Sequence, residues 1–346
     1  MTAPARQGAP PWPWRIPLRA RLKAEVADFV VDEMAATDPA GEGEHLWLRI
    51  RKTGHNTESV AEWLARAAGV PRAAVGYAGR KDRHAITTQW FSVQTPGRAE
   101  PEWARGLPEG VELLESRRHT RKLQTGHLAG NRFRLRLTEV TGDRAVADAL
   151  LERIRTGGLP GYFGEQRFGH QNLERARAWF EGRLRPRGRN QRSLYLSAAR
   201  AAIFNAVLRR RVVDGSWDQL LPGDMANLDG TGSVFPVPEV DDVLRRRCSV
   251  LDIHPTGPLW GGGETGTAGS VAELERAVAA EQAVLARGLE REGVKAARRP
   301  LRIRPRRLEW RWDADQTLVL DLELGPGEYA TSVAGAVALL DAVDDP

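Results

Sequence analysis

The end of the chain constrains the fold more than any other stretch. TLVLDLELGPGEYATSVAGAVALL, starting at residue 317, reads as a strand, a Gly-Pro-Gly turn and a helix. A lone strand and helix at 317–341 cannot bury their apolar faces by themselves, so they require a sheet built elsewhere in the chain. The N-terminal third supplies one. DFVVDEM (28–34) and HLWLRIRK (45–52) are β-prone, and in the second Leu46, Leu48 and Ile50 alternate with Trp47, Arg49 and Arg51, the pattern of a half-buried strand. Gly41 and Gly43 make the turn between them. In NRFRLRLTEV (131–140), Phe133, Leu135 and Leu137 share one side and Arg132, Arg134 and Arg136 the other, which predicts a strand with a basic face. SVAEWLARAAG (59–69) predicts a helix, with Val60, Trp63, Leu64 and Ala67 on one face, a Ser59/Glu62 capping box, and Gly69 as its stop. Val75–Ala78 and Ile86–Val93 read as further strands.

Near residue 158 the texture changes to GGLPGYFGEQRFGH. Helical patterns follow at about 173–181 and 193–213, then a Pro/Gly-rich stretch with β-like pieces (222–263) and a helix of roughly 271–293. The expected organisation is therefore an α+β sheet domain formed by 1–157 and 306–346, interrupted by a second domain at 158–305. MTAPARQGAPPWPW at the start reads as a flexible leader without the apolar core of a secretory signal. No apolar run approaches the roughly 18 to 20 residues of a membrane span, so a soluble, cytoplasmic protein is expected.

One cysteine, Cys248, excludes an internal disulfide and a multi-cysteine metal site, and the seven histidines show no HxxxH or HxH spacing. GGGETG (261–266) satisfies GxGxxG, but PTGPLW stands where the dinucleotide motif needs a strand, so the segment reads as a loop. Charge is more telling. Net charge is +6, and three runs concentrate it: 117–136 with seven Lys or Arg and no acid, 183–192 with five, and 298–311 with seven against Glu309. Such clusters imply a polyanionic partner. Lysine is scarce, five against 46 arginines, and Lys23, Lys52, Lys81 and Lys122 all fall in the first 122 residues.

Within GYAGRKDRHAITTQWFSV (76–93), Asp82 is a single carboxylate among Arg80, Lys81, Arg83 and His84, in a loop between two strands. Cations on both sides favour the ionised form of a carboxylate, which suits either a surface ion pair or a group that meets an electron-poor sugar carbon. Phe133 has two readings as well. Its period-2 partners make it core, while its place at the start of a strand would let its ring stack on an extruded base.

Taken together, KAEVADFVVDE with GEGEHLWLRIRKTGHNT, YAGRKDRHAITTQW, GNRFRLRL, GYFGEQRFG, RSLYLSAARAAIFNAVL and GEYATSV occur in one order over nearly the whole chain. The set resembles the TruD-type tRNA pseudouridine synthases. The resemblance implies a pseudouridine-synthase mixed-sheet catalytic core formed by the two chain ends, with an inserted α/β TRUD domain. It implies Asp82 as the catalytic aspartate, Phe133 as the ring that stacks on the target uracil, Asn131 as its polar companion, and Lys23 as a basic group beside the aspartate. Glu33 and Gln89 match motif positions without an assigned role. It further implies tRNA as partner, uridine 13 in the D-arm as target, no cofactor, no protein partner and a monomer. One departure is visible: ATSVAGAVALL lacks the Leu-Arg-Glu that the family usually carries after its ATSV-like segment. Two other classes of protein would share part of this pattern. A noncatalytic RNA-binding protein would have the basic runs, and a metal-free ribonuclease could use His84, His119 or His127 as acid and base.

Overall fold

The computed structural model describes residues 12–97, 99–103, 107–169, 171–313 and 316–341; most of the expected leader lies outside them. The chain divides into two compact units, one of residues 17–147, 305–330 and 338 onward, the other of 1–16, 148–304 and 331–337.

The first unit is built on a ten-stranded mixed sheet. Its N-terminal strands are β1 (Leu18–Leu22), β2 (Phe29–Ala35), β3 (His45–Thr53), β4 (Val75–Tyr77), β5 (Ile86–Gln94), β6 (Val111–His119) and β7 (Leu128–Gly142). The strand Thr317–Leu324 lies antiparallel to β7, so the lone C-terminal strand finds the sheet that its apolar alternation requires. Arg306–Asp313 extends that edge, and β7 continues through β2, β5 and β3 to β6. Of these neighbours β2 and β5 are parallel. On β7, Phe133, Leu135 and Leu137 are buried while Arg132, Arg134 and Arg136 are exposed, as the alternation predicts. Gly130 has a reason to be glycine: a Cβ there would sit 2.3 Å from the Leu324 carbonyl oxygen, at a φ of +156°.

Helix α1 (Thr57–Ala67) lays Val60, Ala61, Leu64 and Ala65 against Leu46, Leu48, Ile50, Phe91 and Val93 of β3 and β5. Each fully buried leucine or phenylalanine in that layer contributes on the order of 1.5–3 kcal/mol. The helix starts at Thr57 behind Asn56, two residues before the expected Ser59 cap, so the Ser59/Glu62 box is corrected: Ser59 lies inside the first turn. The half-buried reading of β3 is corrected too. Trp47, on its polar side, is buried with Ala78, Trp90 and Leu123, and its Nε1 donates to the Arg121 carbonyl at 2.9 Å.

The second unit has a four-stranded antiparallel sheet in the order Val234–Val237, Asp224–Leu228, Ile253–Leu259, Ala297–Pro300. Helices Asn172–Phe180, Arg189–Val213 and Ala283–Arg291 share a core of Phe180, Tyr195, Ile203, Val207, Leu285 and Leu289. The expected helix at 271–293 is two, Gly269–Glu281 and Ala283–Arg291, broken where Gln282 leaves helical geometry at ψ 38°. The segment expected to run helical to its end also divides: Ala330–Val337 is helix, and Ala338–Asp341 becomes a strand parallel to β1. Residues 331–337 and the helical residues 148–157 group with the second unit rather than with the sheet, so the division differs from 157/158 and 305/306. Trp14 belongs to the same unit, with Nε1 donating to the Ala336 carbonyl at 2.9 Å. Among the described residues no helix is long and apolar enough to cross a membrane.

Candidate active site

The loop between β4 and β5 carries Asp82, and two of the scarce lysines, Lys23 and Lys52, converge on it. Lys23 Nζ donates to Asp82 Oδ2 at 2.7 Å. Asp82 Oδ1 has no hydrogen-bond partner among the described residues, and the side chain is 41 % exposed. One oxygen is thus held by a cation while the other is left open. The sequence offered Arg80 and Arg83 as the partners that a purely structural aspartate would have. Arg83 instead donates Nε to the Gly54 carbonyl, and the ion pair comes from a residue 59 positions away. Lys23 holds its position at a backbone cost, with φ +64°, a region that non-glycine residues seldom enter. Its Nζ also lies 4.2 Å from the centre of the Phe29 ring, a cation–π contact that fixes its direction.

Lys52 is the residue that the sequence reading missed as part of this site. It sits on β3 with no exposed surface, its Nζ donating to the Asp82 carbonyl at 2.8 Å and to the His55 carbonyl at 2.7 Å. Burial pulls its pKa down to about 8, against the opposing attraction of Asp82. The signal was present: Leu46, Leu48, Ile50 and Lys52 continue one period-2 face, so a lysine occupies a core-facing position. A buried ammonium that bonds two loop carbonyls fixes where the backbone of Asp82 stands.

Lys81 faces a different set of groups. Its Nζ lies 2.8 Å from Glu33 Oε2 and donates to Asn131 Oδ1 at 2.5 Å, tying β2 to the start of β7. Glu33 is buried and its Oε1 accepts from the Trp90 backbone at 3.1 Å. The Lys81 amide donates to Thr57 Oγ1, the Thr57 hydroxyl donates to Gln89 Oε1, and Gln89 Nε2 donates to the Gly79 carbonyl, at 2.9, 2.9 and 3.0 Å. Glu33 and Gln89, left without roles from the sequence, therefore hold the two shoulders of the Asp82 loop. Thr57, Gln89 and the Lys81 amide are satisfied within this chain of hydrogen bonds, whereas Glu33 Oε2 meets Lys81 as an ion pair without a hydrogen bond.

Phe133 is 7 % exposed, and its ring meets Phe29 edge-on at a centroid distance of 6.1 Å. Phe29 in turn carries Lys23 on its face, so Asp82, Lys23, Phe29 and Phe133 form one line of contacts. Asn131, two residues earlier on the same strand, is half-buried and opposes Glu33 across the β2–β7 pairing. His119, one of the acid–base candidates for a ribonuclease, packs on Trp47 at 4.2 Å and accepts the Ala40 amide at Nδ1. Among the described residues no group of three or more metal-ligating side chains is assembled.

The basic runs divide sharply. Much of 298–311 is engaged within the protein: Arg298 pairs with buried Glu275, Arg302 donates to His254 Nδ1, Arg304 pairs with Asp229, and Arg311 with Asp313 and Asp321. Arg306, Arg307 and Arg311 of that run are exposed. Arg132, Arg134 and Arg136 likewise face Glu323, Asp321 and Asp28.

The mixed-sheet domain thus presents a half-open aspartate whose carboxylate one lysine pairs and whose backbone a second, buried lysine holds. The model of the family described as tRNA pseudouridine synthase D (TruD) matches residues 16–177 and 172–336. The tRNA pseudouridine synthase D of Methylococcus capsulatus is 45 % identical over 317 residues, covering 91 % of this chain and 90 % of that one. The corresponding protein of Xanthomonas campestris pv. campestris (strain 8004) is 48 % identical over 331 residues, covering 91 % and 90 %. A crystal structure of a putative tRNA pseudouridine synthase D from Methanosarcina mazei superposes with a TM-score of 0.73 at 20 % identity, over 95 % of this chain and 96 % of that one, and so shares the fold. The chain belongs to the TruD family of tRNA pseudouridine synthases, enzymes that isomerise uridine in tRNA.

Proposed function

We propose that this chain converts uridine 13 in the D-arm of tRNA to pseudouridine, with Asp82 acting on the ribose of the target nucleotide, as a cytoplasmic monomer without a cofactor. The observation that carries the reading is the asymmetry of Asp82: Oδ2 is held by Lys23 while Oδ1 has no protein partner among the described residues. The N1–C1′ bond breaks, the uracil turns within the site, and C5 bonds to C1′ as its proton leaves. No atom is gained or lost from the nucleotide, so the chemistry needs no outside reactant. The target uridine must leave its stack to reach Asp82, which costs a few kcal/mol. Stacking on an aromatic ring contributes roughly 1–3 kcal/mol and offsets much of that. Phe133 supplies the ring in this reading. Because only a sliver of it is accessible, its neighbour Phe29 must give way as the base enters. Asn131, held by Lys81, offers its amide N–H groups to a uracil carbonyl.

The position is tested with two tRNA transcripts, one with uridine and one with cytidine at 13, incubated with the pure protein and mapped for pseudouridine. Modification at 13 in the first transcript and none in the second is expected. Pseudouridine at another D-arm uridine would replace the site while keeping the chemistry.

A further inference from the structure

Two segments singled out in the sequence take no part in the Asp82 site: GYFGEQRFG (161–169) and RSLYLSAARAAIFNAVL (192–208). They meet within the second unit at a cavity of about 460 Å³. One wall is the helix Arg189–Val213, on which Arg189, Ser193, Ser197 and Arg200 recur at three- or four-residue steps and so share a face. The other segment contributes Phe163 and Arg167. Arg167 Nη1 donates to Ser197 Oγ at 3.0 Å, which joins the two walls.

The cavity is lined by four arginines and no carboxylate. Arg192 is ion-paired, with Glu292 at 3.1 Å. Arg200 makes both of its hydrogen bonds through Nη2, to the carbonyls of Leu259 and Lys295 at 2.7 and 3.0 Å, so Nε and Nη1 have no partner among the described residues. Arg189 is exposed and has no carboxylate partner among them. The contrast lies in the same unit, where the buried guanidiniums of Arg211 and Arg298 each grip a carboxylate, Asp224 and Glu275, through two nitrogens. A half-buried cation without such a partner is costly unless an anion arrives from outside. Burial alone shifts the Arg200 pKa, downward, with no acid opposing it. The ring of Phe163 is already covered by Arg299 at 3.9 Å, so the cavity offers no free aromatic face to a base. A second hollow of about 470 Å³ shares Arg189 and Arg192 and adds Arg185, which extends the basic wall beyond the size of one isolated ion.

We infer that this cavity holds backbone phosphodiesters of the RNA substrate, with Arg189, Arg200 and Ser193 donating to phosphate oxygens. The inference rests on the tRNA reading above and deepens it, since it assigns the second unit a phosphate-docking site separate from the chemistry. Phosphate contacts of this kind set position and register and carry no sequence information.

The test is tRNA affinity of the whole protein, titrated between about 50 and 200 mM salt, for wild type, the double variant Arg189→Gln/Ser193→Ala and Arg200→Gln. The double variant alters exposed side chains and should melt with wild type. Its Kd should rise about five- to tenfold, and the slope of log K against log salt should become shallower by about one. Arg200→Gln should do the same where its melting temperature shows it folded. Unchanged affinity and slope in a folded double variant overturn the assignment. Affinity is read independently of turnover: a wild type that binds tRNA but makes no pseudouridine sinks the functional reading, whereas normal turnover with unaltered binding in the variants sinks the cavity alone.

Discussion

At the scale of single residues, the account turns on how two lysines treat one aspartate differently. Lys23 touches the carboxylate, and Lys52 touches the backbone that carries it. Burial lowers the pKa of Lys52 from 10.5 to about 8, so the folded chain binds this proton less tightly than the unfolded chain does. Charging Lys52 therefore opposes folding below about 8, and stability is recovered as pH rises from there towards 10.5. Relative to Lys52→Met, wild type should gain on the order of 2 kcal/mol between about pH 7.5 and 9.5 in urea titrations. A difference that shrinks or reverses over that range contradicts a buried, proton-shedding amine. Phe133→Leu separates stacking from packing, because it keeps most of the buried volume. Its stability should fall by less than about 1.5 kcal/mol, while turnover drops about tenfold or more, the equivalent of losing roughly 1.4 kcal/mol or more of stacking. Full turnover in a folded Phe133→Leu protein removes the stacking role. At this scale the sequence marks Asp82 through its setting, whereas Lys52 is missed despite its place on an apolar face. That Lys23 stands beside Asp82 comes from the family resemblance, whereas residue pattern alone offers Arg80 and Arg83, because the contact joins positions 59 apart in the chain.

At the scale of elements, helix α1 does two jobs: Leu64 anchors it in the core, and Thr57 at its first turn holds the Asp82 loop through the Lys81 amide and Gln89. Thr57→Val keeps the shape but leaves a buried amide and a buried carbonyl oxygen without their hydroxyl, at a cost of about 1–3 kcal/mol. Single-turnover pseudouridine formation should slow several-fold with tRNA affinity unchanged. A rate equal to wild type would show that the loop is held without this bond. Strongly periodic elements could be read directly, β7 and Thr317–Leu324 above all, because alternation decides which face is buried. Boundaries set by tertiary contacts could not be. The strand Ala338–Asp341 depends on a neighbour remote in the chain, because β1 recruits it in parallel register.

At the scale of the whole molecule, net charge is a poor guide and the bookkeeping of arginines a better one. Four arginines of the run 298–311 pair with carboxylates of the protein, whereas Arg185 and Arg189 in the run 183–192 have no carboxylate partner among the described residues, Glu292 in their hollow being taken by Arg192. Binding to tRNA should weaken steeply with added salt, through the counterions released at the phosphates that the protein contacts. A flat salt response would contradict a backbone-docking surface. Family membership, from matches covering about nine-tenths of the chain, fixes the reaction class, and the proposal gives the work to Asp82 and the groups around it. The most direct test of that assignment is mass-spectrometric mapping of pseudouridine in tRNA incubated with pure wild type or Asp82→Asn, nothing else added, alongside tRNA affinity for both. The account predicts pseudouridine with wild type, none with Asp82→Asn, and nearly equal affinities. Appreciable pseudouridine from Asp82→Asn would contradict it.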